Sequence, residues 1–168
     1  MKLTFDIPEA INGNFEIKKI TSDNIANKNE PLDTYTVLYK DNQGIMQDTT
    51  HEYIEHQPLW DNATGDVLIA GLGIGFVNQK LIDNKNVTSV TIIEKHKEVI
   101  DMVWSHCPKD DSIILIHDDI ITWNPIRKYN VGWFDTWLTE CGDYSNYNKI
   151  LYNKYEKHCE WIGFWTSV

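Results

Sequence analysis

The chain has 168 residues, of which 42% are hydrophobic and 24% charged, and its formal net charge at pH 7 is −10. This length and composition indicate one globular domain that can bury a core without disulfides or metals. The negative charge argues against a protein that grips nucleic-acid phosphates, and neither a signal peptide nor a run of roughly 18 apolar residues is visible. We therefore predict a cytoplasmic protein that binds neither nucleic acid nor membranes.

The histidines and cysteines do not have the spacing of a metal site. Cys107, Cys141 and Cys159 form no C-x-x-C pair, and the six histidines form no H-x-x-x-H pair. Zinc sites usually show such spacings, and the odd number of cysteines argues against a disulfide framework. No G-x-S-x-G segment occurs, so a hydrolase triad is not expected. The sequence predicts no metal.

The first part of the chain predicts mainly irregular structure followed by a hairpin. Residues 1–33 are polar, with Phe15 and Ile17 indicating one short strand and residues 21–33 reading as a loop. A β-branched and aromatic run, a polar turn over residues 41–44 and a resumed extended run then predict a β-hairpin over residues 34–46.

A short helix is predicted after this hairpin. Thr49 with Glu52 three residues later matches the capping-box pattern of a helix N-terminus. The helix should run from His51 to about Gln57, with Pro58 ending it.

From residue 61 to 168 strands and helices alternate, whereas residues 1–60 read as a lead-in segment. Fully apolar strands that alternate with helices are typical of an α/β fold with a buried parallel sheet. Right-handed connections predict the strand order 3-2-1-4 with helices on both faces. The strands are predicted over residues 67–70, 90–93, 113–116 and 129–134, and the helices over residues 77–83, 95–104 and 145–159. The short aromatic segment over residues 161–165 is an open candidate for one further strand.

A glycine-rich loop follows the first parallel strand. Gly71, Gly73 and Gly75 permit a tight turn and the close approach of a ligand to bare backbone. A dinucleotide-binding fingerprint would place its last glycine at position 76, where the chain has Phe76, and no Gly-Lys-Ser/Thr follows to make a P-loop. The remaining pattern, G-x-G-x-G, is the shape of loops that bind adenosylmethionine. A plain tight turn is the open alternative.

Acidic residues follow each of the other three strands, at the edge where open α/β sheets bind ligands. Glu94 lies 19 residues after Gly75, close to the offset expected of an acid that binds ribose hydroxyls. Asp118 and Asp119 follow the third strand, where a carboxylate can accept from an adenine amino group, and Asp135 follows the fourth. Singly, these acids also fit solvated loops or helix caps. Their order along the chain favours cofactor binding.

These motifs together resemble the spermidine-synthase-like branch of class I S-adenosylmethionine-dependent methyltransferases. The matching stretches are VLIAGLGIGF, VTIIEKHKEVI, IHDDIITWNP and FDTW, with GIMQDTTHEYIEH before them and CEWIGFWTSV after them. The resemblance covers roughly residues 34–168. It implies a Rossmann-like fold, abbreviated at the C-terminus, that binds S-adenosyl-L-methionine, S-adenosylhomocysteine or the decarboxylated analogue.

The resemblance also implies which residues form the site. By matched position, Asp119 is the adenine-side acid, and Asp135 is the catalytic residue that orients or deprotonates an amine or hydroxyl acceptor. Trp133 and Trp137 flank Asp135, and they either receive a cation on their rings or simply pack. The residues expected to bind the cofactor are Gly71, Gly73, Gly75, Glu94, Asp118 and Asp119.

Methyl transfer to a small-molecule acceptor is the leading function, and the acidic charge leaves a cationic acceptor open. Aminopropyl transfer, lyase or hydrolase cleavage of S-adenosylmethionine, and a non-catalytic binding module are the open alternatives. Because the usual terminal hairpin of such sheets is not visible in the sequence, one sheet edge should be exposed, which predicts a homo-oligomer.

Overall fold

The computed structural model describes residues 2–25, 30–136 and 144–165, so Trp137 and Cys141 lie outside the described residues. The described chain contains one antiparallel and one parallel sheet. The antiparallel sheet has the order β1-β2-β3-β4 and the parallel sheet the order β7-β6-β5-β8-β9. The strands are β1 (Ala10–Asn12), β2 (Phe15–Thr21), β3 (Thr34–Lys40), β4 (Gln43–Gln47), β5 (Gly65–Ala70), β6 (Val87–Glu94), β7 (Ile113–His117), β8 (Tyr129–Phe134) and β9 (Cys159–Phe164).

Five helices connect these strands in the described chain. No described helix is long and apolar enough to cross a membrane. The helices are α1 (Thr50–Glu55), α2 (Gln57–Asn62), α3 (Phe76–Ile82), α4 (Lys97–Val103) and α5 (Tyr144–Tyr155).

The parallel sheet contains the four predicted strands, in the predicted relative order, and a fifth. β9 pairs in parallel with β8, so the predicted order 3-2-1-4 is incomplete. The predicted helix over residues 145–159 is too long for the same reason. It ends at Tyr155, and Cys159 already belongs to β9.

The central strand β5 is buried on both faces, which is why it reads as a continuous apolar run. Val67 and Ile69 pack with residues of α3 and α4, whereas Leu68 and Ala70 pack with α5. Alternate side chains of a strand point to opposite faces, so the helices lie on both sides of the sheet as predicted. The core on the α3–α4 side also includes Phe15 and other residues of the antiparallel sheet.

The predicted hairpin is confirmed, but its surroundings are more ordered than expected. Asp41 and Asn42 both have positive φ, 51° and 63°, as a two-residue hairpin turn of type I′ requires. The turn is therefore shorter than the predicted run over residues 41–44. The prediction of a single strand before residue 33 was wrong, because β1 pairs antiparallel with β2. β1 has only three residues, which are too few to show the alternation of apolar and polar side chains that marks a strand.

Pro58 does not end the helical region, contrary to the prediction. The predicted cap at Thr49 is present, because its side chain accepts a hydrogen bond from the Glu52 N–H at 3.2 Å. Helix α1 ends at Glu55, and Pro58 lies in the first turn of the next helix. Proline has no N–H to donate and its φ fits the first helical turn, so it can begin a helix as well as end one.

We expect truncation of the central strand to destabilise the fold strongly. Ile69 is fully buried, so Ile69→Ala should lower the free energy of unfolding by about 2–5 kcal/mol. Ile126 is 91% exposed, and Ile126→Ala is the matched control, with an expected change within about 0.5 kcal/mol. Urea denaturation measures both, and equal losses for the two variants would contradict the assignment of β5 as the buried centre.

Candidate functional site

A cleft of about 210 Å³ lies at the carboxyl ends of the parallel strands. One wall is the antiparallel sheet, which contributes Phe15, Leu38 and Met46. The other wall brings together all but one of the residues predicted for the site: Gly71, Gly73, Glu94, Asp118, Asp119 and Asp135.

Gly75 is the predicted site residue that does not line the cleft. A side chain there would meet the Cys107 Sγ at 2.1 Å, behind the loop, and its N–H donates to the Leu72 carbonyl at 2.9 Å. Its φ of +71° is in the left-handed region that glycine adopts without strain. Gly75 therefore closes the turn before α3, and its predicted contact with a cofactor has no support in the geometry.

The other two glycines allow the loop to touch its neighbours through bare backbone. Gly71 has a φ of +101°, and a Cβ atom there would lie 2.2 Å from the Asp135 carbonyl oxygen. Gly73 has a φ of +53°, and a Cβ atom there would lie 2.0 Å from the Met46 Sδ. The first contact joins the ends of β5 and β8, and the second joins the loop to the antiparallel sheet.

Most of the N–H groups of this loop donate within the protein. A loop that binds phosphate directs several backbone N–H groups at its ligand, and this one does not. Four of these N–H groups donate as follows: Gly71 to the Ile93 carbonyl (2.9 Å), Leu72 to Glu94 Oε2 (2.8 Å), Ile74 to Met46 Sδ (3.4 Å) and Gly75 to the Leu72 carbonyl (2.9 Å).

Glu94 fixes the loop as well as facing the cleft. Its Oε2 accepts from the Leu72 N–H at 2.8 Å, and its Oε1 accepts from the His96 N–H at 2.7 Å. Burial raises the pKa of the Glu94 carboxyl, and these N–H groups oppose the rise. A carboxylate has about four lone-pair sites, so Glu94 keeps acceptor capacity toward the cleft.

Asp118 and Asp119 form a turn after β7 and do not cap a helix. Asp119 Oδ1 accepts from the Ile121 N–H at 2.9 Å, and Asp119 Oδ2 pairs with the Lys95 ammonium at 2.9 Å. Burial alone would raise the pKa of Asp119, but the Ile121 N–H and the Lys95 ammonium outweigh burial and hold that pKa below its usual range. Asp119 is therefore a carboxylate at the cleft edge.

Asp135 is held by a histidine that the sequence did not single out. His56 is fully buried, and its Nε2 lies 3.0 Å from Asp135 Oδ2. Its Nδ1 lies 2.8 Å from the Glu52 backbone carbonyl and 4.0 Å from Glu52 Oε1. Burial alone would lower the pKa of His56, but the hydrogen bond and the charge of Asp135, with the charge of Glu52, raise it above the ordinary value.

Glu52 and His56 were missed because Glu52 was interpreted only as part of a helix cap. Their spacing of four residues, which puts two side chains on one face of a helix, is the signal that was present. Trp133, one of the rings predicted to flank Asp135, is fully buried and stacks on Trp161. It belongs to the core, so the packing alternative is the right one for Trp133.

Solved structures with the same Rossmann-like α/β fold are found at low sequence identity. DhpI, in a complex with S-adenosylhomocysteine, has a TM-score of 0.51 and 20% identity over 66% of this chain and 52% of its own. The N-methyltransferase NodS from Bradyrhizobium japonicum WM9, also with S-adenosylhomocysteine, has a TM-score of 0.52 and 16% identity over 66% of this chain and 57% of its own. The match thus spans about half the length of these proteins. No protein-family model and no curated protein matches the chain.

We expect a side chain at Gly71 to disrupt the contact between the ends of β5 and β8. The Cβ of Gly71→Ala would meet backbone, which cannot rotate away, and alanine is strained at this φ. The free energy of unfolding should fall by about 1–3 kcal/mol. Gly44→Ala is the control, because its Cβ would make only an ordinary contact of 3.6 Å with Val37, and its change should not exceed about 1 kcal/mol. Indistinguishable thermal melts for the two variants would refute the close approach.

Proposed function

We propose that the cleft binds S-adenosyl-L-methionine and that the protein transfers its methyl group to a small-molecule acceptor. The observation that carries the proposal is the row of carboxylates beside the glycine loop. Glu94, Asp119 and Asp135 each lie at the carboxyl end of a different parallel strand and line one cleft. The proteins of similar fold described above hold S-adenosylhomocysteine, which adds support.

The order of the strands supports a separate role for each carboxylate in this proposal. Neighbouring strands lie about 4.8 Å apart, so the ends of β7 and β8 are separated by three spacings, about 14 Å. An extended nucleoside with a sulfur-bearing tail suits such a span. In this arrangement Asp119 receives the adenine amino group, Glu94 receives the ribose hydroxyls, and Asp135 faces the sulfur.

The chemistry of the donor set favours a ligand without phosphate. The loop N–H groups described above are engaged within the protein. Four acidic side chains line the cleft against two lysines, Lys40 and Lys95, and Lys95 is already paired with Asp119. A phosphate group would meet like charges there, whereas a sulfonium cation would be attracted to them. This is why we propose S-adenosylmethionine rather than NAD or ATP. Membership of the spermidine-synthase-like branch, and with it aminopropyl transfer, stays a prediction.

The residues of the cleft would act mainly by positioning. When bound, S-adenosylmethionine supplies a methyl group on a positively charged sulfur, which an acceptor attacks in line. Glu94 and Asp119 would fix the nucleoside, and holding the two reactants in this geometry accounts for much of the rate enhancement. Asp135, with its Oδ2 held by His56, would take the proton that the acceptor loses.

Calorimetry tests the ligand. We expect S-adenosylmethionine and S-adenosylhomocysteine to bind with micromolar affinity, and NAD and ATP to give no heat. Asp119→Asn keeps an oxygen for the Ile121 N–H but offers an amide donor to the adenine, so it should weaken binding by about 1–3 kcal/mol. The control is Asp111→Asn, an exposed acid outside the cleft, which should bind like the wild type. Absence of heat with every adenosyl-sulfur compound would rule out the proposed function.

Asp135→Asn tests the assignment of the base. Turnover should fall by roughly 10²–10⁴, because the amide cannot accept the proton, while affinity for S-adenosylhomocysteine stays within a few fold. Mass spectrometry of S-adenosylhomocysteine formed with a mixture of small amines and alcohols measures the turnover, and thermal melts measure the stability. A lower melting temperature with unchanged specific activity would mean that Asp135 is only structural.

A further inference from the structure

A second cavity, of about 330 Å³, lies on the other side of β4 from the cleft. Ile45 and Met46 line both cavities, so this strand is the wall between them. Glu52 and Glu55 face the second cavity, whereas Asp135 faces the cleft. Buried His56 is within 4.0 Å of a carboxyl oxygen of both Glu52 and Asp135, so a line of titratable side chains joins the two cavities.

The contacts of His56 suit its charged form. A neutral imidazole has one N–H donor and one acceptor nitrogen, whereas an imidazolium has two donors. Both nitrogens of His56 face oxygen atoms, the Glu52 carbonyl at 2.8 Å and Asp135 Oδ2 at 3.0 Å. An imidazolium paired with the Asp135 carboxylate satisfies both contacts. A buried cation needs one compensating negative charge nearby.

Glu52 is the other carboxyl group that can supply this negative charge. Burial and the negative charges of Asp135 and Glu55 together raise the pKa of Glu52 to about 8, and His56 opposes the rise. With Asp135 ionised, Glu52 is therefore mostly neutral at pH 7. If Asp135 becomes neutral, one of the causes of the raised Glu52 pKa disappears, and Glu52, whose charge also favours the imidazolium, is then the carboxyl group that can balance His56. Glu52 then loses its proton more readily.

We propose that Glu52 and Asp135 share the single negative charge that balances His56, so that a proton taken up by Asp135 from the acceptor is matched by a proton released from Glu52 into the second cavity. The net charge of the three side chains then stays at zero throughout, and His56 never changes its protonation state. This inference rests on the proposed methyl transfer, in which donor and acceptor would fill the cleft around Asp135.

The proton balance of the reaction is consistent with this exchange. An acceptor ammonium, R–NH₃⁺, gives one proton to Asp135, and its lone pair forms the new N–CH₃ bond. The electrons of the broken S–CH₃ bond stay on sulfur, and the product leaves as R–NH₂–CH₃⁺. One proton per methyl group must therefore reach the solvent. Glu52 releases it during the reaction, and both carboxyl groups return to their resting states when Asp135 is open to water again.

Infrared titration of the protein without donor or acceptor tests the charge sharing. The signal of the protonated Glu52 carboxyl is identified by its loss in Glu52→Gln, and we expect its midpoint in the wild type at about pH 8. Asp135→Asn should move that midpoint about one pH unit lower, the size at which two groups count as coupled. Asp135→Ala is a second neutral replacement and should do the same. His56→Gln, which removes the cation, should move the midpoint higher.

Glu55→Gln is the matched control, because Glu55 faces the same cavity from the same helix and affects the Glu52 pKa less than Asp135 does. Its removal should shift the Glu52 midpoint less than the removal of Asp135 does. A Glu52 carboxyl that ionises in the wild type near the ordinary pH for glutamate, or that ignores both Asp135 variants, would overturn the proposal. Calorimetry separates the two proposals. If the Glu52 midpoint responds to Asp135 but no adenosyl-sulfur compound binds, the charge sharing stands and its role in methyl transfer is ruled out.

Discussion

The close approach of Gly71 to the backbone of Asp135 is the constraint on which the site depends. The Asp135 N–H donates to the Ala70 carbonyl at 3.0 Å, and the Gly71 N–H donates to the Ile93 carbonyl at 2.9 Å. These bonds continue the sheet to the very ends of β5, β6 and β8. Because position 71 carries no side chain, Asp135 and Glu94, the last residue of β6, lie on either side of the loop and face one cleft.

The antiparallel sheet turns this edge into an enclosed site. Met46 lies against the loop at Gly73, and Phe15 belongs both to the shared core and to the wall of the cleft. His56, at the junction of α1 and α2 after this sheet, contacts Asp135 and is itself shielded from water. The lead-in segment therefore does more than cover the core. It supplies the groups that set the charge around Asp135 and separates two cavities.

Much of the parallel sheet could be predicted from the sequence, because strands buried on both faces must be apolar throughout. The four acids were also found, since each lies at the carboxyl end of such a strand. β1 could not be predicted, because a strand of three residues is too short to show an alternating pattern. The role of Pro58 could not be predicted either, because a proline can end one helix or begin the next. The pairing of His56 with Asp135 joins residues 79 positions apart. No periodicity of the chain relates them, and only the packing of the two sheets brings them together.

The central claim is that the carboxylates and the glycine loop hold an adenosyl-sulfur nucleoside in one orientation. A crystal structure of the protein with S-adenosylhomocysteine tests it most directly. We expect the ribose hydroxyls within hydrogen-bond distance of Glu94, the adenine amino group toward Asp119 and the sulfur toward Asp135. A nucleoside bound in the reverse orientation, or bound outside the cleft at saturating concentration, would contradict this account.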